Sequence, residues 1–168
     1  MLLNLSKIIG CPGSRLPFEF ELDFSDMEFG NCRPATEPIH AEGQVVNTAG
    51  VLLLDAEITG TIHGICDRCT KEFEREISIP VHAVLESDPD SMTSEDLWTF
   101  TVEGDAVDLE EIVRTAFVFG MDSKLLCDPD CKGLCFRCGV DLNHGTCQCK
   151  PEPDPRFAAL QQWLDKQQ

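Results

Sequence analysis

The sequence predicts a mainly β, α+β fold: an antiparallel β-meander or partly closed barrel carrying one packed helix, then a cysteine-rich module and a terminal helix. Three observations predict it. Apolar residues recur with period two over several long runs, which is the mark of half-buried strands. One segment after them repeats its apolar residues at helical spacing. Six of the ten cysteines fall between Cys127 and Cys149, so the tail follows a different chemistry from the body.

The strands come first. Phe18, Phe20, Leu22 and Phe24 alternate with Glu19, Glu21 and Asp23. Ile39 to Asn47 reads as a second strand that turns over Asn47 to Gly50. Leu52, Leu54, Ala56, Ile58 and Ile62 share one parity, and that run arrives at Cys66. Beyond Cys69 the apolar parity is odd, through Phe73, Ile77, Ile79, Val81, Ala83 and Leu85. The two long runs predict a hairpin joined by the two residues Asp67-Arg68. Trp98, Phe100 and Val102 mark a further short strand.

Asp108 with Glu111 three residues on has the form of a capping box. Leu109, Ile112, Val113, Ala116 and Phe117 then line one helical face, and Gly120 is placed as its C-cap. Ser87 to Glu95 is polar and predicts a loop. Pro151 to Pro155 predicts a stiff linker, and Asp154-Pro155 caps a last helix with Phe157, Leu160, Trp163 and Leu164 on one side. The expected organisation is therefore 1–120 as β core plus helix, 121–150 as cysteine module, and 151–168 as linker and terminal helix.

With 168 residues and 42% hydrophobic content, the chain is long and apolar enough to bury a core without disulfide staples. Its net charge of −17 argues against binding a phosphate backbone and favours basic partners. The densest basic run, Arg68 to Arg75, is itself interrupted by Glu72 and Glu74. Met1 to Pro12 lacks the features of a signal peptide, and no window approaches a membrane span of ~20 apolar residues. These features predict a cytoplasmic protein without membrane contact. Thiols stay reduced in that compartment, so clustered cysteines point to metal or redox chemistry.

Four-cysteine zinc sites take their ligands as two close pairs on tight turns, whose backbone N–H groups offset thiolate charge. Cys135-Phe-Arg-Cys138 followed by Gly139 is such a pair, and Cys147-Gln-Cys149 is the second. Between them, Asn143-His-Gly145 can reverse the chain. Cys135, Cys138, Cys147 and Cys149 thus predict a self-contained four-cysteine zinc ribbon. Two pairs remain: Cys66-x-x-Cys69 at the hairpin tip and Cys127-x-x-x-Cys131 just before the ribbon. Joined as a second zinc site, they would pin the tail to the β core.

The competing partition places Cys127, Cys131, Cys135 and Cys138 on one metal and leaves Cys147 and Cys149 to seek His144 and the hairpin. The first partition is preferred. Cys11 and Cys32 match no ligand spacing and are expected to be small buried hydrophobes. His144 is expected to be an ordinary turn residue, and His40, His63 and His82 lie in strand-like runs. Two Zn²⁺ with eight ionised thiolates would carry the formal charge from −17 to about −21. Lys132, Arg137 and Lys150 stand among the ligands and offset part of this.

The hairpin "CDRC", the stretch "CDPDCKGLCFRCGVDLN" from Cys127 to Asn143, the following "CQC" and "DPRFAAL" from Asp154 to Leu160 together resemble the bacterial YceD family, also called large ribosomal RNA subunit accumulation protein. The resemblance spans nearly the whole chain and is most specific from Cys127 to Leu160. Phe136 departs from the family pattern, which has proline there, without touching a ligand. The resemblance implies a role in accumulation of large-subunit rRNA and hence in ribosome assembly.

Three functional classes follow. The first is a non-enzymatic assembly factor, whose acidic β core binds a basic ribosomal protein or an assembly intermediate, with structural zinc and weak or no affinity for free nucleic acid. The second is a redox-gated zinc chaperone, in which oxidation expels metal and exposes client-binding surface. An enzyme is the third and least expected. Cysteines fill the metal shell instead of leaving the open position a catalytic zinc keeps. There is also no phosphate-binding glycine loop and no GxSxG elbow.

Overall fold

The computed structural model describes residues 1–25, 27, 37–87, 98–149 and 156. In chain order the elements are β1 (Leu2–Asn4), α1 (Ser6–Ile9), β2 (Arg15–Leu22), β3 (Ile39–Thr48), β4 (Val51–Ile65), β5 (Glu72–Glu86), β6 (Trp98–Thr101), β7 (Ala106–Asp108) and α2 (Leu109–Gly120). The linker expected over 151–155, the expected terminal helix apart from Arg156, the expected loop of Ser87 to Glu95 apart from Ser87, and Cys32 lie outside the described residues.

Strands β2 to β5 form an antiparallel meander, and β6 joins its edge parallel to β5, in the order β2-β3-β4-β5-β6. The sheet is open and does not close into a barrel. A second, two-stranded sheet pairs β1 with β7, bringing Leu3 opposite Val107.

The period-two pattern places one sheet face in the core. Phe18, Ile39, Ala41, Val45, Leu54, Ile58, Ile62, Val81 and Ala83 are all buried on it. Leu109, Ile112, Val113, Ala116 and Phe117 of α2 pack into the same cluster, with Leu5 and Ile8 of the α1 segment. Phe24, just beyond β2, stacks on Phe117 at 4.8 Å between ring centroids, and the Arg114 guanidinium lies 5.0 Å from the Phe24 ring. Asp108 caps α2 by accepting from Glu110 N at 3.0 Å, and Glu110 and Glu111 set negative charge against the positive end of the helix.

Gly120 has a different role from the left-handed cap expected of it. The helix ends at Met121 in an extended conformation, and a Cβ at Gly120 would lie 2.6 Å from Ile79 Cγ2. Its lack of a side chain lets the helix end approach β5.

Asn47 is fully buried at the end of β3. Its amide donates to Ile8 O at 2.6 Å and Ile9 O at 3.0 Å, and its Oδ1 accepts from Gly50 N at 2.9 Å. One side chain thereby ties α1 to the β3–β4 turn, and every polar atom it buries is satisfied.

The hairpin tip departs from the sequence expectation. β4 ends at Ile65 and β5 begins at Glu72, which pair directly. The connection is therefore the six residues Cys66 to Lys71, not two. Parity does not separate the two cases, because registers that differ by two residues keep every side chain on the same face.

Candidate metal centres

The six-residue tip is a thiolate-binding knuckle. Cys66 N donates to Lys71 O at 2.8 Å and Thr70 N to Cys66 O at 2.9 Å. The first cysteine pair of the ribbon, Cys135 and Cys138, repeats the second of these bonds, with Gly139 N donating to Cys135 O at 2.8 Å. The residue after the second cysteine is left-handed in both: φ is +71° at Gly139 and +56° at Thr70. Glycine takes that conformation freely, whereas a β-branched residue does so at a cost.

Hydrogen bonds then lay the tail against the tip. Asp67 N donates to Leu125 O at 2.8 Å, and Leu125 N returns a bond to Asp67 Oδ2 at 2.8 Å. Arg68 Nη1 donates to Cys131 O at 2.7 Å, while Leu134 N donates to Arg68 O at 3.0 Å. Gly133, with φ +75°, lies so close that a Cβ there would be 2.8 Å from Arg68 O. This explains the glycine inside Cys-Lys-Gly-Leu-Cys, a residue to which sequence reasoning assigned no task.

These contacts gather the sulfurs into two groups. The Sγ atoms of Cys66, Cys69, Cys127 and Cys131 all lie within 4.8 Å of one another, and so do those of Cys135, Cys138, Cys147 and Cys149. The grouping is that of the first partition. His144 belongs to neither, since its Nδ1 pairs with Asp141 Oδ2 at 2.7 Å. Cys11 is exposed rather than buried as expected, and it stands apart from both groups.

The spacing fits a tetrahedral cation and not disulfides. Cys66 and Cys131 sulfurs are 3.8 Å apart, Cys69 and Cys127 3.6 Å, and Cys135 and Cys147 3.4 Å. A disulfide needs about 2.05 Å. Four sulfurs about 2.3 Å from one zinc stand roughly 3.8 Å from each other. Both groups could therefore hold a metal ion. The hairpin group is the more enclosed: Cys66, Cys69 and Cys131 are buried, whereas Cys138 of the ribbon is exposed.

The electrostatics of each group are compatible with a bound cation. Burial raises the Cys66 thiol, but N–H groups of Cys127, Cys69 and Arg68 outweigh it and bring it down to about 6. The N–H groups of Cys138 and Arg137 bring Cys135 down to about 6. Within the same clusters, burial and neighbouring sulfurs push Cys127 up to about 12. Hydrogen bonding to Cys138, then burial, does the same for Cys149. One thiolate in each group discourages the next, and a divalent cation removes that conflict.

On the opposite side of the sheet from α2, the pleat presents charge. Glu19, Glu42 and Glu57 stand in one row across β2, β3 and β4, and Asp55 follows on β4. Glu21 of β2 and Glu72, Glu74 and Glu76 of β5 share this face. Arg15, at the start of β2, is the only lysine or arginine at these strand positions. The three strand histidines are here too, each beside a carboxylate: His82 with Asp55 at 2.8 Å, His63 with Glu74 at 3.2 Å and His40 with Glu19 at 3.7 Å. A shallow groove of about 720 Å³ runs past Glu19, Glu42, Asp55, Glu57 and His82.

The stretch that carries the hairpin tip and the cysteine tail matches a known family. The family described as large ribosomal RNA subunit accumulation protein YceD matches residues 54–164. The chain belongs to the YceD family. Its match to that family begins in β4 and takes in both sulfur groups. An uncharacterised protein of Mycobacterium tuberculosis (strain ATCC 25618 / H37Rv) is 31% identical over 114 residues, 64% of this chain and 55% of the relative. A YCED homolog 1 of Arabidopsis thaliana chloroplasts, named as a large ribosomal RNA subunit accumulation protein, is 31% identical over 67 residues, 39% of this chain and 21% of its own. Its namesake in Zea mays is 37% identical over 46 residues, covering 27% and 16%. The chain thus spans about half the length of the mycobacterial relative it matches. No solved structure matches it. YceD proteins carry a description that is not an enzyme's. Among the described residues of this YceD protein, no helix is long and apolar enough to cross a membrane.

Proposed function

We propose that this chain is a non-enzymatic cytoplasmic factor in large-subunit rRNA accumulation, docking a basic ribosomal protein or an assembly intermediate on its open acidic sheet face. The face carries the proposal: Glu19, Glu21, Glu42, Asp55, Glu57, Glu72, Glu74 and Glu76 against the single Arg15. Such a surface repels a phosphate backbone and steers cationic partners toward it. The family description supplies the process.

In this reading two Zn²⁺ ions are structural. Cys66, Cys69, Cys127 and Cys131 hold one, and Cys135, Cys138, Cys147 and Cys149 hold the other. Residues 1–120 form the docking body, 121–150 the module the metals shape, and 151–168 the linker and terminal helix. Zinc contributes a fixed fold here rather than a reactive water, because thiolates occupy every coordination position.

The test is capture of basic large-subunit proteins by the purified chain at low and high salt, with naked rRNA as competitor. Binding should weaken steeply with salt, because exposed charges are screened beyond about 10 Å at 0.1 M. Replacing Glu19, Glu42 and Glu57 by lysine should abolish capture and leave metal content unchanged. Tight binding to naked rRNA that survives high salt would overturn the assignment. A redox-gated chaperone draws support from the exposed Cys138 in the ribbon. That reading requires holdase activity to appear when peroxide releases the metal.

A further inference from the structure

Asn143 lies in the ribbon loop between Cys138 and Cys147, yet its side chain serves the other sulfur group. Its Oδ1 accepts from Lys132 N at 2.7 Å, and its Nδ2 donates to Cys131 Sγ at 3.4 Å. The second Nδ2 proton goes to Asp141 Oδ1 at 2.8 Å. Asp141 Oδ1 also accepts from Asn143 N at 2.8 Å, and its other oxygen meets His144 Nδ1. These partners fix the amide orientation. Rotated by half a turn, the amide would set donor against the Lys132 N–H and acceptor against the Asp141 carboxylate.

We propose that Asn143 is a positioning residue that couples the two metal centres, presenting a hydrogen-bond donor to a sulfur of the hairpin centre from the loop that closes the ribbon centre. The coupling rests on the metal reading above. An N–H bonded to a metal-bound thiolate draws off charge and holds the sulfur in place, and outer partners of this kind typically alter metal affinity by 10–100-fold. The donor reaches Cys131 only when the loop from Asp141 to Gly145 is formed. That loop joins Cys138 to Cys147 and is tied to the first ribbon turn by Leu142 N to Gly133 O at 2.9 Å and Cys135 N to Val140 O at 2.9 Å, so drawing Cys135 and Cys138 toward Cys147 and Cys149 holds it closed. Filling the ribbon centre therefore tightens the hairpin centre, and filling the hairpin centre holds the loop in turn.

The test uses the full chain in three forms: wild type, Asn143→Ala and Asn143→Asp. Alanine removes both the acceptor and the donor. Aspartate keeps an acceptor for Lys132 N and loses the donor to sulfur. Each is loaded with Co²⁺ for spectroscopy and with Zn²⁺ for release to a chelating dye. The expected result is about tenfold or faster metal release from the hairpin centre in both variants, with the sulfur-to-Co²⁺ charge-transfer band moved to lower energy. A role limited to holding Lys132 would leave the charge-transfer band unmoved, most clearly in the aspartate variant. Two bound ions with unaltered band and release rates in both variants overturn the coupling alone. A wild-type chain that takes up neither ion overturns the metal reading and the coupling with it.

Discussion

The β body and the cysteine module are stabilised by different physics. In the body, Phe24, Phe117, Ile39, Leu54, Ile58 and Ile112 are all buried at 2% exposure or less within one apolar cluster. Among the described residues of the module, only Met121 and Leu125 are buried in that cluster; the second buried cluster consists of Cys66, Cys69 and Cys131. Its one ladder contact is the isolated bridge of Leu134 with Asp141. Burying apolar surface yields roughly 25 cal/mol per Å² and needs no ligand. The module adds little to the apolar cluster, and on the proposed metal reading its order depends on what the sulfurs bind. The body should fold without metal, and the module should not.

The largest effect that probes this contrast comes from Cys66→Ser. Structural zinc in small peptides carries about 10–16 kcal/mol of apparent binding energy coupled to folding. The variant should lose one metal per chain and release 121–149 from the hairpin tip, so proteolysis cuts the module while β2 to β5 keep slow amide exchange. Equal loss of protection in the strands would break the comparison. Phe117→Ala acts on the other side. Losing its stack on Phe24 should cost about 3–5 kcal/mol of body stability, read as a lowered denaturation midpoint with the metal count unchanged. Thr70→Gly is the smallest. It relieves a left-handed β-branched residue in the hairpin knuckle and should stabilise that knuckle by about 1 kcal/mol, whereas Gly139→Thr should weaken the ribbon by a similar amount.

Much of the body was legible because alternation records which face is buried. The parity switch from Ile62 to Phe73 marks β4 and β5, and Asp108 with Leu109 to Phe117 marks α2 and its cap. Parity says nothing of what lies far apart in the chain, so the pairing of β1 with β7 across about a hundred residues left no local sign. The parallel addition of β6 depends on where a connection leads. The knuckle was mistaken for a tight turn because it preserves the same alternation.

The cysteine pairs were readable from spacing, since a thiolate-binding turn fixes the distance between its sulfurs along the chain. Their supports were not. Arg68, Gly133 and Asn143 act through a carbonyl, a missing Cβ and an amide aimed at sulfur, and none of these shows a period. Of the open face's carboxylates, Glu19 and Glu21 were visible as alternation with the apolar residues of β2. The alignment of Glu19 with Glu42 and Glu57 into a row needed the strand register.

The central claim is that metal, held jointly by the hairpin tip and the tail, fastens the module to a body that stands without it. The direct measurement is metal content and amide exchange on protein purified under reducing conditions, before and after a strong chelator. The account predicts about two zinc ions per chain and, once they are removed, fast exchange through 121–149 with β2 to β5 still protected. A chain that carries no metal, with the module equally protected before and after chelation, would contradict it.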